Sequence, residues 1–334
     1  MKECAMKAMV CTRYGPPDVL HLQEIEKPSP ADNEVLVRIY AASVNPLDGY
    51  TIKGPSAFLP FLARFTRPRP LVPGSDISGR VEAVGKDVKQ LHPGDEVFGS
   101  LFGGRGAGAF AEYGCATENQ LALKPASVSF GEAAALPIAG ITALQGLRDK
   151  GGIERGQKVL IDGASGGVGT YAIQIARYFG AEVTAVCSTR NVEMARKLGA
   201  DHVIDYKQED FTRNGQTYNL ILGANAHHPV FAYRRSLTAD GVFVMVGGAL
   251  GMILRFMLLA PLLSRFSNKK ARFFIAKMNT KDLDILANLL ATGKMVSVID
   301  RSYPFNDTVE ALRYREAGHA QGKVVITVVP STAN

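Results

Sequence analysis

The stretch from Lys158 to Phe179 constrains this chain more than any other. Lys158-Val-Leu-Ile-Asp162 predicts a short, fully buried strand, and Gly167–Phe179 predicts an apolar helix. Between them lies Gly163-Ala-Ser-Gly166-Gly167-Val-Gly169. A strand, a glycine-rich turn and a helix in that order form a diphosphate cradle. The glycines let the ligand approach the backbone with no Cβ in the way. The helix start offers free N–H groups and the positive end of its dipole. The spacing is G-x-x-G-x-x-G rather than the commoner G-x-G-x-x-G. Gly163, Ser165, Gly166, Gly167, Val168 and Gly169 are therefore the expected contacts to a dinucleotide; the bland alternative is a glycine turn with no ligand.

The following residues keep the same rhythm. Strand Glu182–Cys187, helix Asn191–Leu198, strands His202–Ile204 and Tyr218–Leu222, helix Pro229–Ser236 and strand Gly241–Val246 predict a parallel, doubly wound sheet. An NAD site ends its second strand with an acid that accepts from the ribose hydroxyls. Here that strand runs into Ser188-Thr-Arg190, with no acid. Ser188 and Arg190 suit a 2′-phosphate, so NADPH is the expected cofactor. Glu193, on the next helix, is expected to face solvent. Asn225 and Gly247 follow strands at the carboxyl edge of the sheet, where such cofactors bind.

The first third reads differently. Lys7–Cys11, His21–Ile25, Val35–Ala42, Asp76–Val84 and Glu96–Phe98 are short strands separated by Pro and Gly, as in a small barrel. Past residue 270 the pattern predicts strand Ala271–Ala276, helix Lys281–Ala291, strand Val296–Ile299, a helix around Asn306–Gly318 and strand Lys323–Val329. A length of 334 residues fits two domains. The net charge of +7 suits an anionic ligand, and no nucleic-acid motif accompanies it. The four cysteines form no C-x-x-C pair, which argues against a zinc knuckle and for reduced thiols in the cytoplasm. Met1–Val10 has no signal core. The apolar run Ala249–Phe266 is interrupted by Arg255, Pro261 and Arg265, short of the ~20 apolar residues of a spanning helix. It reads as a buried or ligand-covering segment, with peripheral membrane contact as the alternative. The basic loop Arg64–Pro70 reads as solvated, or else as a wall of a substrate cleft.

Ser43-Val-Asn-Pro-Leu-Asp-Gly-Tyr50, Pro73-Gly-Ser-Asp-Ile-Ser-Gly-Arg-Val81, Gly140-Ile-Thr-Ala143, the glycine turn, Leu198-Gly-Ala-Asp-His-Val-Ile-Asp-Tyr206 and Gly322-Lys-Val-Val325 carry a resemblance across nearly the whole chain. Together they resemble the zinc-free, zeta-crystallin-like quinone oxidoreductases of the medium-chain dehydrogenase/reductase superfamily. The resemblance implies an α/β fold: a GroES-like β-barrel catalytic domain over 1–128 and 278–334, and a Rossmann domain over 129–277. It implies that Asn45 and Tyr50 stand at the nicotinamide and substrate, Thr142 near the nicotinamide amide and Tyr206 beside the phosphate end of the adenosine. Lys323 is a weaker carry-over to the cofactor. It also implies a homodimer, which strand Ala271–Ala276 would join by extending the sheet across a two-fold axis. Zinc-dependent relatives carry a cysteine and a Gly-His-Glu segment; this chain has Gly74-Ser75-Asp76 and no cysteine in its first matching stretch. His227 and His228 are adjacent and so cannot normally face one metal. The chain departs from the family at Asn219 and Gly223, where aspartates often flank the fourth strand of the sheet.

Without a metal, hydride addition to a quinone or an enone leaves charge on the carbonyl oxygen, which needs a preorganised donor. Tyr50 O–H, a neutral donor with an ordinary pKa of ~10, and the Asn45 amide are the candidates. Asp48 reads as a helix-cap residue. The activity this implies is NADPH-dependent reduction of quinones or α,β-unsaturated carbonyls. The alternatives are an enoyl-thioester reductase and a redox-sensing protein that binds NADPH without turnover.

Overall fold

The structure is a computed structural model that describes residues 5–54, 71–101, 108–248, 251–252, 255–256 and 268–329. Cys4, the basic loop Arg64–Pro70 and most of the apolar run Ala249–Phe266 lie outside the described residues. The chain divides into two units. One comprises Met1–Ile138, Met278–Gly293 and Ser297–Asn334, the other Ala139–Lys277 with Lys294–Val296.

The first unit begins with strands β1 (Ala5–Cys11), β2 (Leu20–Glu26) and β3 (Glu34–Val44), helix α1 (Pro46–Lys53), and strands β4 (Asp76–Val84), β5 (Glu96–Ser100), β6 (Tyr113–Thr117) and β7 (Leu121–Leu123). Helix α2 (Phe130–Ala134) still belongs to it, so the first boundary falls ten residues beyond the expected 128/129. The reason is packing: Phe130, Ala134 and Ala135 cluster with Ala41 of β3 and a valine near the C-terminus, Val325. The Ser129–Glu132 capping box fixes the start of α2.

The second unit holds most of α3 (Pro137–Gln145), then β8 (Lys158–Asp162), α4 (Gly167–Tyr178), β9 (Glu182–Cys187), α5 (Val192–Lys197), β10 (His202–Asp205), β11 (Tyr218–Gly223), α6 (Val230–Arg235), β12 (Leu237–Met245) and β13 (Lys270–Phe273). The strand order is β10-β9-β8-β11-β12-β13, and every neighbouring pair is parallel. Counted within the unit, this is third-second-first-fourth-fifth-sixth, the order of dinucleotide-binding sheets. Direction of winding reverses between β8 and β11, so their carboxyl ends open the crevice in which such sheets bind ligands. Val159, Leu160 and Ile161 of β8 are wholly buried, as befits a strand covered on both faces. Asn219 accepts the Lys158 N–H at 2.9 Å, and Gly223 leaves room for the Phe243 ring. Strand β13 ends three residues earlier than expected, because its partner β12 ends at Met245, opposite Phe273. Ile275 beyond it is 76% exposed.

The chain then returns to the first unit with α7 (Thr280–Ala291), β14 (Ile299–Pro304), α8 (Thr308–Glu316) and β15 (Lys323–Thr327). The expected strand Val296–Ile299 starts only at its last residue. Val296 is held instead by the Gln174 side chain, which binds both its N–H and its C=O. Among the described residues the sheet of this unit has the order β14-β15-β3-β4-β5-β7, with β6 on β3 and β1–β2 as a separate antiparallel ribbon. Its core includes Val35, Val37, Ile39, Ile77, Val97 and Phe110, all buried. Strands β6 and β7 escape a sequence reading because Tyr-Gly-Cys-Ala-Thr and Leu-Ala-Leu carry no polar–apolar alternation.

Candidate active site

In the second unit the glycine turn follows β8 directly. Gly163 has φ +83°, a left-handed conformation, and a Cβ there would lie 2.6 Å from the Asn225 Cβ. A Cβ on Gly169 would lie 2.2 Å from the Gly163 carbonyl oxygen, so only glycine lets α4 start this close to the turn. At Gly166, the N-cap of α4, a Cβ would meet nothing nearer than 3.7 Å. The backbone above the helix start is therefore open, and the first-turn N–H groups at Gly167, Val168 and Gly169 have no intrahelical acceptor. Ser165 and Val168 are half-buried beside them. This is a cradle of the size and polarity that a diphosphate needs.

The carboxyl ends of the neighbouring strands add the remaining expected residues of this half. Ser188 is buried, its hydroxyl accepting from Asn191 Nδ2 at 3.0 Å, and Arg190 is exposed on the same turn. Glu193 is exposed and pairs with Arg196, as expected. Tyr206 is 51% exposed directly after β10. Asn225 donates its N–H to the Asp162 carbonyl, and Gly247 donates to Gly223, which ties the loops after β11 and β12 to the glycine turn. Thr142 is half-buried on α3.

In the first unit Asn45 is the N-cap of α1 and Pro46 its first residue, so the local sequence sets where this helix begins. Asp48 accepts the Asn45 N–H at 2.7 Å and the Ser75 hydroxyl at 2.8 Å. Burial pushes the Asp48 carboxyl up to about 7 against those two donors. The Asn45 amide donates to Asp76 at 2.8 Å and accepts from Lys323 Nζ at 2.7 Å. Asp76 also accepts from Ser43 Oγ at 3.2 Å and from the Ile138 N–H at 3.1 Å, and lies 3.5 Å from Lys323 Nζ. Burial pushes the Asp76 carboxyl up and the Lys323 ammonium down, and each charge draws the other back.

This network engages two of the expected site residues. Asn45 is 2% exposed with both ends of its amide engaged, so it positions α1 and has no free donor for a substrate oxygen. Lys323 is 3% exposed, and its ammonium faces Val44 O, Asn45 Oδ1 and Asp76 Oδ2, which makes it an internal counter-ion among the described residues. Tyr50 remains the candidate donor, half-buried in the last turn of the helix these residues anchor. Arg315 of α8 adds positive charge near Asp48 and Tyr50.

Residues 31–126 match the alcohol dehydrogenase GroES-like domain, and residues 198–326 match the zinc-binding dehydrogenase family. The chain is 33% identical over 315 residues to a chloroplast envelope quinone oxidoreductase homolog of Arabidopsis thaliana, covering 92% of this chain and 93% of the relative. It is 33% identical to the NADPH-dependent alkenal/one oxidoreductase of Arabidopsis chloroplasts, covering 97% of this chain and 80% of that one. The solved quinone oxidoreductase of Coxiella burnetii superposes with a TM-score of 0.86 at 32% identity, covering 97% of this chain and all of the other. The chain belongs to the quinone oxidoreductase family of the medium-chain dehydrogenase/reductase superfamily.

Zinc, which one of the matched family descriptions names, does not fit this quinone oxidoreductase. Among the described residues no three His, Cys, Asp or Glu side chains are grouped as metal ligands. Asp48 and Asp76, buried beside each other in the first unit, are already engaged by Asn45, Ser75 and Lys323. A dinucleotide does fit, through the cradle at Gly166. Among the described residues no helix is long and apolar enough to cross a membrane.

Two features were not foreseen from the sequence. One is the Asp76–Lys323 pair, whose partners stand 247 positions apart. The other surrounds Asp162, the last residue of β8, whose carboxylate accepts from Tyr233 Oη at 2.5 Å. A signal existed for the second: an acid ending an otherwise apolar, doubly covered strand must be paired.

Proposed function

We propose that this protein is an NADPH-dependent reductase that delivers hydride to quinones or α,β-unsaturated carbonyl compounds without zinc. The observation that carries the reading is the open glycine turn at the switch point of the second unit, flanked by an acid-free strand end bearing Ser188 and Arg190. The family relatives include enzymes named for quinones and for alkenals and alkenones. When bound, NADPH supplies the hydride. The first turn of α4 holds its diphosphate, Ser188 and Arg190 hold the 2′-phosphate, and Tyr206, Asn225 and Gly247 border the adenosine and ribose. Thr142 orients the nicotinamide amide. Tyr50 donates its phenolic proton to the substrate oxygen as charge develops there. Asn45, Asp48, Asp76 and Lys323 hold the helix that carries Tyr50. A homodimer joined along β13 and a cytoplasmic location complete the proposal; the exposed Ile275 supports the former, and the free, buried thiols of Cys11, Cys115 and Cys187 the latter.

The test is initial-rate oxidation of NADPH and NADH against quinones, alkenals and enoyl thioesters. Selective turnover of NADPH with quinones or enals is expected. Equal or better turnover of NADH would overturn the roles of Ser188 and Arg190. Tight binding with no turnover of any acceptor would make the protein a sensor rather than an enzyme.

A further inference from the structure

Asp162 is 2% exposed and ends the strand from which the glycine turn springs. Its carbonyl accepts the N–H groups of Ala224 and Asn225, so it marks the switch point between β8 and β11. Its carboxylate Oδ2 is held by Tyr233 Oη and lies 3.8 Å from Nδ1 of His227. Tyr233 Oη in turn accepts the backbone N–H groups of His227 and His228, at 3.1 and 3.4 Å, which fixes the loop that carries the imidazole. The His227 side chain is half-exposed, with its ring edge-on to Tyr206 at 6.4 Å.

A buried carboxylate next to a diphosphate cradle is electrostatically the wrong sign. Bringing a dianion to the first turn of α4 raises the cost of every neighbouring negative charge and favours every neighbouring proton. We propose that Asp162 and His227 form a proton-binding pair within the cofactor site, and that the dinucleotide binds together with a proton held by this pair. The inference rests on the dinucleotide reading above and deepens it. Burial already pushes the Asp162 carboxyl up to about 6, against the pull of Tyr233 and His227. Burial, and then Asp162, push the Tyr233 phenol far up, so it stays a donor throughout.

The titratable groups around the His227 ring are Asp162 from β8, Tyr206 after β10, Tyr233 from α6 and His228 on its own loop. His228 is occupied elsewhere: it faces Asp210 at 3.9 Å, and burial lowers its pKa. The pair at Asp162 is thus the group positioned to take the proton.

Titration calorimetry of NADPH and of NADH, from pH 6 to 9 in phosphate and in Tris, reads this directly. With the intact protein, binding should take up a proton from the buffer. Affinity for both cofactors should then weaken above neutrality by up to about tenfold per pH unit. Asp162→Asn should abolish the uptake and flatten the profile, and His227→Gln, which removes the charge that draws the Asp162 carboxyl down, should move the uptake to higher pH, while both proteins stay folded by circular dichroism. Asp162→Asn keeps an acceptor for Tyr233, and His227→Gln changes only a half-exposed loop. Tight binding with no proton uptake overturns the pair, as does uptake that survives Asp162→Asn or that His227→Gln does not move. Uptake with NADPH alone assigns the proton to the 2′-phosphate and also overturns it. Uptake with a preference for NADH supports the pair and overturns only the NADPH assignment. Failure to bind either dinucleotide overturns both.

Discussion

Replacing Lys323 with methionine keeps the length of the side chain and removes its charge. Three contacts go with the ammonium: Asn45 Oδ1 at 2.7 Å, Val44 O at 3.4 Å and Asp76 Oδ2 at 3.5 Å. Asp76, with no exposed surface, keeps its hydrogen bonds from Asn45, Ile138 and Ser43 but loses its counter-ion. Breaking a buried pair by removing one partner costs about 3–5 kcal/mol. The three surviving donors place Asp76 at the low end of that range, and the orphaned Asn45 oxygen adds about 1 kcal/mol. A loss of about 4 kcal/mol is a large share of the ~5–15 kcal/mol that holds a typical protein folded. Urea unfolding, followed by circular dichroism, reads the loss as a lower midpoint. Its pH dependence is diagnostic. Without Lys323, the folded-state pKa of Asp76 rises further above its unfolded value, so the folded state holds the extra proton. The penalty is therefore small near pH 4, grows as pH rises through the unfolded value, and levels off above the folded one. Adding Asp76→Asn to Lys323→Met should recover much of the loss. A variant within about 1 kcal/mol of the parent at pH 8, or a penalty that does not change with pH, would refute this account of the network.

Gly169→Ala drives a methyl group to 2.2 Å from the Gly163 carbonyl, so dinucleotide binding measured by NADPH fluorescence should be lost with the fold largely retained. Tyr50→Phe should lower kcat by about 10²–10³ while leaving the NADPH dissociation constant unchanged. Arg190→Ala should weaken NADPH binding about 10–100-fold and NADH binding far less, since only the former has a 2′-phosphate to lose. If both cofactors weaken equally, Arg190 serves the fold or the diphosphate instead.

The second unit was legible because its chemistry is local. The glycine turn, the strand before it and the helix after it are contiguous, and β8 and β9 begin and end where the apolar runs do. Ser188 and Arg190 follow directly from the end of β9. The first unit was legible in its strands but not in its polar interior. Asn45 looked like a substrate donor because a sequence shows the residue and not what surrounds it. Asp76 and Lys323, which surround it, come from strands that become neighbours only through β3, the strand paired with both β4 and β15. Lys323 was assigned to the cofactor for the same reason. The Asp162–Tyr233–His227 cluster joins a strand, a helix and a loop 65–71 positions apart, a distance at which residue spacing carries no geometric information.

The pairing of β15 with β3 sets a schedule for synthesis. The second unit is nearly continuous from Ala139 to Lys277 and can close soon after it leaves the ribosome. The first unit cannot, because Val324 to Thr327 must pair with Val44 to Ala41, near the opposite end of the chain. Until then β3 lacks one neighbour and Asp76 lacks its cation. A nascent chain that stalls or is cut before residue 323 would therefore carry a finished cofactor-binding half attached to an open sheet edge, the form most exposed to aggregation and to quality-control proteases.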